Sequence, residues 1–242
     1  MVHTQGHAAQ KENGETLNQH ICMKPYSLYS FRQYKPLEGA KYFILPFILW
    51  LIAGGIVLGQ EEERSVYMAV NKQHTAFKDL IFPYITHIGE GQVIIISLLL
   101  LLLIPKFRTG KFLLAMLVCN ISPFLITQGI KALVNAPRPL KYYAEAAWIN
   151  RVAGQPVNYD YSFPSGHSEG SFAFLCFLAI LLPRKFYWLG TVLFLLGMSV
   201  LYSRIYLSQH FFADVFVGST IGTLCCLISF SIINPFRDRD TQ

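Results

Sequence analysis

The chain has 242 residues, 53% of them hydrophobic and only 14% charged, with a formal net charge of +6. Soluble domains carry about 25% charged residues, so this composition excludes an ordinary soluble globule and points to a one-domain integral membrane protein. A basic balance in so apolar a chain follows the positive-inside pattern, and with no basic helix or aromatic-basic stretch it excludes nucleic acid as a partner.

The first forty residues are polar or mixed and contain no early apolar stretch of the signal-peptide kind. Residues 1–41 are therefore expected to form a cytoplasmic tail, disordered over 1–20, and the first span must itself direct insertion. A membrane helix needs about 20 mostly apolar residues. Tyr42–Gly59, Phe112–Lys131, Tyr187–Ser203 and His210–Asn234 qualify. Val93–Ile104 reaches a span if its helix starts near Ile88–Glu90, and Ser165–Pro183 only if its polar first turn is counted. The expected fold class is all-α: a polytopic bundle of six transmembrane helices over residues 42–234, followed by a cytoplasmic tail at 235–242.

Charge in the connections agrees with that layout. With both termini inside, twelve of the twenty Lys and Arg fall on the inner side. The two short inner loops hold Lys106, Arg108, Lys111, Arg184 and Lys185 and no acid, as the positive-inside rule requires. The segment Glu61–Glu90 mixes apolar and polar residues and is expected to lie on the outer surface as an amphipathic connection. Cys22, Cys119, Cys176, Cys225 and Cys226 show no metal-ligand spacing and are expected to be bystander thiols.

Three polar clusters interrupt the apolar runs: KALVNAPRP (131–139), PSGH (164–167) and SRIYLSQHFFAD (203–214). The span parity puts all three on the outer face. Lys131, Arg138 and Arg204 have no acid adjacent in sequence and would repel one another unless an anion sat among them; phosphate matches the guanidinium fork. Ser165 and Gly166 precede an apolar helix, where free backbone N–H groups and the helix dipole form a second anion site. His210 and Asp214, four residues apart, share a helix face, so the carboxylate can hold one ring nitrogen and leave the other nucleophilic. His167, from a different helix, would be the general acid. Together these groups make a phosphoryl-transfer site that needs no metal and no cofactor.

These motifs resemble the signature of the type 2 phosphatidic acid phosphatase superfamily: Lys131-ALVNAP-Arg138-Pro139, Pro164-Ser165-Gly166-His167, and Ser203-Arg204-IYLSQ-His210-FFA-Asp214. The resemblance implies a membrane lipid phosphatase in which His210 becomes a phosphohistidine, Asp214 orients it, and His167 protonates the leaving group and then activates water. It further implies that Lys131, Arg138, Arg204, Ser165 and the Gly166 amide hold the phosphate. The expected location is a bacterial inner membrane with a periplasmic site. The expected partner is a lipid phosphate or pyrophosphate: undecaprenyl pyrophosphate, phosphatidylglycerol phosphate, phosphatidic acid or a lipid A phosphate. A lipid-to-lipid phosphotransferase would use the same residues, whereas a non-catalytic carrier would need cations but no nucleophile. Soluble haloperoxidases share the signature, but not the apolar spans. Glu169, two residues after His167, is expected to face away from the anion as a hydrogen-bonding group at the helix mouth. The loop Leu140–Phe163 is read as either an interfacial anchor or a head-group reader, and His87 is given no role.

Overall fold

The computed structural model describes residues 36–236, and over these residues the chain is helical with no strand. The helices are α1 (Pro36–Gln60), α2 (Glu63–Asn71), α3 (Ala76–Ile85), α4 (Gly91–Leu101), α5 (Gly110–Val134), α6 (Pro139–Tyr142), α7 (Gly166–Leu181), α8 (Leu189–Tyr206) and α9 (Phe212–Ile233). Both expected tails lie almost wholly outside the described residues. Within them, α1 begins at Pro36, ahead of the expected Tyr42, and Phe236 still packs beside Phe112 and Phe230.

Local chemistry sets the boundaries. Thr109 starts α5 by accepting from the Phe112 amide, and Asn135 ends it in the left-handed conformation at φ 44°, which Asn tolerates better than most residues. Ser165 starts α7 with its hydroxyl accepting from the Ser168 amide, and Asn234 closes α9 at φ 33°.

Packing explains the unequal helix lengths. Of the sixteen residues of α7, all but Gly166, His167, Gly170 and Leu178 are buried, because α1, α5, α8 and α9 surround it. Glycines set the closest approach: Gly218 and Gly222 of α9 lie against the α7 backbone at Ser165 and Glu169. An aromatic core of Phe43, Phe47, Phe172 and Phe194 fills the space between α1, α7 and α8. Leu45, Leu49, Ile52, Ile95, Ile96, Leu99, Leu125 and Leu195 face outward, an apolar belt unfavourable in water and suited to lipid.

Four helical stretches are long and apolar enough to cross a bilayer: Glu38–Gln60, Gly110–Tyr142, Leu189–Tyr206 and Phe212–Ile233. A fifth arises if Ala76–Gly89 and Gly91–Leu101, bent by 57°, count as one span. The α7 helix, at about 24 Å by helix rise, is shorter than the roughly 30 Å hydrocarbon core. Most of the segment expected to lie on the surface, Glu61–Glu90, is exposed or half-buried, and only Tyr67, Asn71, Thr86 and Gly89 are buried. Tyr67 and Asn71 on α2 are fully buried, because their polar atoms reach the turn between α8 and α9.

Four cysteines are described, all as free thiols: Cys119, Cys176 and Cys226 are buried and Cys225 half-buried, while Cys22 lies outside the described residues.

Candidate active site

A cavity of about 530 Å3 opens where the C-terminal ends of α5 and α8 meet the N-terminal ends of α7 and α9. Six of the expected site residues line it: Lys131, Arg138, Gly166, His167, Arg204 and His210. The other two, Ser165 and Asp214, stand behind the lining and are almost fully buried.

His210 sits in the turn between α8 and α9. Its Nδ1 lies 3.3 Å from Asp214 Oδ2, so the second ring nitrogen, Nε2, is the one directed toward Arg138 Nη1 at 3.5 Å. Asp214 is itself fixed: the same Oδ2 accepts from the Phe211 amide at 2.9 Å and from Ser162 Oγ at 2.5 Å. Burial first, then Arg138, Arg204 and Lys131, hold the His210 imidazole well below its usual pKa. Its neutral form, the one with a lone pair to donate, therefore prevails at physiological pH.

The three cations are anchored by backbone and side-chain oxygens. Lys131 Nζ donates to the Tyr161 carbonyl. Arg138 donates through Nε to the Asp160 carbonyl at 2.9 Å and through Nη1 to Gln209. Arg204 Nη1 donates to Thr86 Oγ1 at 2.8 Å, while its buried Nε has no partner. A buried guanidinium N–H without an acceptor is costly, and here it belongs to a side chain that lines the cavity.

The start of α7 supplies the facing wall. Ser165 Oγ serves as the helix cap and also lies 3.0 Å from Ser168 Oγ, while the Ser165 amide donates to the Asp214 carbonyl at 3.0 Å. A Cβ on Gly166 would meet nothing within 4 Å, so the space beside its backbone is open cavity. His167 follows on the same turn and lines the cavity.

Glu169 is only 2% exposed and its Oε1 has no hydrogen-bond partner. The expected hydrogen-bonding group at the helix mouth is thus not made by that atom. The loop 140–163 packs at one end against the protein and opens at the other onto the cavity. Trp148 packs on Tyr67 and Tyr143, whereas Gln155 and Asn158 line the cavity.

Sequence reasoning missed two groups. Ser162 stands alone in an irregular loop, and only its position two residues before Pro164 hints that it faces the motif. Ser162→Ala is expected to lower kcat about tenfold with little change in KM, as for groups that orient a catalytic ligand; an unchanged kcat would remove it from the site. The second group is the bend between α3 and α4, where Thr86, His87 and Glu90 form a whole wall of the cavity.

The turn that carries His210 is held from a distance. Ser208 adopts a left-handed backbone, φ 59°, a strained geometry for a residue with a side chain. Tyr67 donates to its Oγ at 2.8 Å and Asn71 Nδ2 at 3.0 Å, and Ser208 Oγ in turn donates to the Asn150 carbonyl. Burial is the main influence that pushes the Tyr67 phenol up to about 12, so it keeps the proton that it donates.

Comparison with known proteins places this geometry. The family model described as the PAP2 superfamily matches residues 111–238. A lipid A 4'-phosphatase of Porphyromonas gingivalis is 26% identical over 171 residues, covering 68% of this chain and 70% of that protein. The structure of Aquifex aeolicus LpxE aligns with a TM-score of 0.57 at 26% identity, covering 69% of this chain and 93% of that one. The PAP2-type phosphatidylglycerolphosphate phosphatase of Bacillus subtilis aligns with a TM-score of 0.59 at 22% identity, over 83% and 96% of the two chains, a likeness of fold.

Proposed function

This chain belongs to the PAP2 superfamily and is a membrane phosphatase, and we propose that it hydrolyses a lipid phosphate through a phosphohistidine at His210. The observation that carries this reading is the oriented imidazole: Nδ1 on Asp214, Nε2 beside Arg138, in a cavity shared with His167 from another helix.

Nε2 attacks phosphorus as the ester P–O bond breaks, and His167 gives its proton to the leaving alkoxide. Lys131, Arg138, Arg204 and the Gly166 amide stabilise the charge on the equatorial oxygens. A water molecule then attacks the phosphoenzyme and surrenders a proton to His167. The P–N bond breaks, and phosphate leaves. The roles are filled without a metal.

The proposed setting is a bacterial inner membrane crossed six times, with cytoplasmic termini and the site on the periplasmic side. The basic start of α5 and the Arg184–Lys185 turn after α7 support it, since both lie at the helix ends remote from the cavity. Here α7 counts as a span carried inside the bundle rather than through lipid.

The test is phosphate release by the purified protein in detergent across lipid A, phosphatidylglycerol phosphate, phosphatidic acid and undecaprenyl pyrophosphate. Release from at least one is expected, with inhibition by vanadate and none by a chelator. A chelator-sensitive activity, or release from none of the four, would overturn the reading.

A further inference from the structure

The cavity is larger than phosphate needs and is chemically two-sided. Pockets of roughly 300–1,000 Å3 hold drug-sized molecules, whereas phosphate has five heavy atoms and the cavity is about 530 Å3. Its three fixed cations, Lys131, Arg138 and Arg204, all belong to the motif cluster. Beyond them, the charged and amide side chains lining the cavity are His87, Glu90, Gln155 and Asn158. A second phosphate would find a carboxylate there and no fixed cation.

The opposite wall is also held in register with the phosphate end. Its bend places Thr86 under Arg204 Nη1, and Gly89 lies so near α7 that a Cβ would come within 2.6 Å of the His167 carbonyl. Two residues before Gly89 and one residue after it, the chain delivers a paired His and Glu. His87 Nδ1 lies 2.7 Å from Glu90 Oε1, which orients both side chains and leaves Glu90 Oε2 and His87 Nε2 for another partner. The His87 and Glu90 side chains are 53% and 36% exposed, respectively. Asn158 commits one amide N–H to Gln209 Oε1, and its carbonyl oxygen can accept. Carboxylate, amide carbonyl and oriented imidazole form an acceptor-rich surface, and hydroxyl groups are the donors that satisfy it.

We propose that His87, Glu90 and Asn158 form a head-group subsite that selects a phosphomonoester carried on a hydroxylated skeleton, a sugar or a glycerol, over a diphosphate. The inference rests on the phosphatase reading above. It assigns Glu90 as the chief acceptor and His87 as the group that orients it.

The experiment compares kcat/KM for four lipids: lipid A, whose phosphates sit on sugar rings; phosphatidylglycerol phosphate, whose phosphate sits on a hydroxylated glycerol; phosphatidic acid, with no free hydroxyl; and undecaprenyl pyrophosphate. For the wild-type protein, at least one of the two hydroxylated monoesters is expected to exceed both phosphatidic acid and undecaprenyl pyrophosphate by about tenfold or more, and the two hydroxylated arms tell sugar from glycerol. In Glu90→Gln, the ratio of that substrate to phosphatidic acid is expected to fall about tenfold, the size of one charge-assisted hydrogen bond. A wild-type preference for phosphatidic acid or the diphosphate overturns the subsite while leaving the phosphatase standing. An unchanged ratio in Glu90→Gln also overturns it, whatever the variant's absolute rate. Hydrolysis of none of the four removes the phosphatase reading itself.

Discussion

His210→Ala is expected to abolish phosphate release, lowering kcat by at least about 10^4-fold, the scale seen when a nucleophile working within a catalytic unit is removed. The reason is geometric. Only Nε2 of this ring combines a lone pair, a carboxylate-held partner nitrogen and a place beside the Arg138 guanidinium. Without it, water would have to attack the ester directly. Substrate affinity should survive, because Lys131, Arg138 and Arg204 keep their own anchors at Tyr161, Asp160 and Thr86. Folding should survive too, since Asp214 still accepts from Ser162 and the Phe211 amide. The decisive readout is the covalent intermediate. Denaturing the wild type under alkaline conditions during turnover should trap an acid-labile phosphoenzyme, which His210→Ala should lack. A labelled phosphoenzyme in His210→Ala would place the nucleophile elsewhere.

Gly222→Ala is expected to cost about 3 kcal/mol of stability, the upper end for a single added methyl in a packed interior. A Cβ there would press on the Glu169 carbonyl and stand 3.0 Å from the Ala173 amide. Both are backbone atoms of α7, so no rotamer change can relieve the contact, and α7 and α9 would have to separate. That separation would also shift Ser165 from its bond to the Asp214 carbonyl. Thermal unfolding in detergent should fall by on the order of 5–10 °C for a chain of this size. Gly55→Ala is the control, because a Cβ at Gly55 meets nothing within 4 Å; it should be neutral or slightly stabilising. Equal behaviour of the two variants would mean that α7 and α9 are not in close contact.

The cluster that lines the cavity was legible in the sequence because its chemistry is concentrated: Lys131, Arg138, His167, Arg204 and His210 occur in short runs at the mouths of apolar helices, where such residues are costly without a purpose. The four long spans were legible for the same reason, as uninterrupted hydrocarbon. What stayed hidden depends on contacts far apart in the chain. Nothing in the pattern of Glu61–Glu90 tells a surface helix from one that sends Tyr67 and Asn71 inward, since their partners lie 141 and 137 residues away at Ser208. The bend near Glu90 was hidden because a short apolar run reads as a span end; Thr86, His87 and Glu90 gain meaning only once α3 leans on α8. Ser162 was invisible for want of any periodicity in its loop.

The tether on Ser208 bears on how such proteins can be recombined. The turn that carries His210 is held jointly by α2, through Tyr67 and Asn71, and by the loop at Asn150, whose own amide donates back to Asn71 Oδ1 at 3.0 Å. These three stretches are therefore not interchangeable parts. A chimera that imports a foreign 140–163 loop while keeping the native α2 would break a matched set of bonds beneath His210 without changing one signature residue. Exchanging the 140–163 loop of this chain thus means exchanging α2 with it, as one mechanical unit.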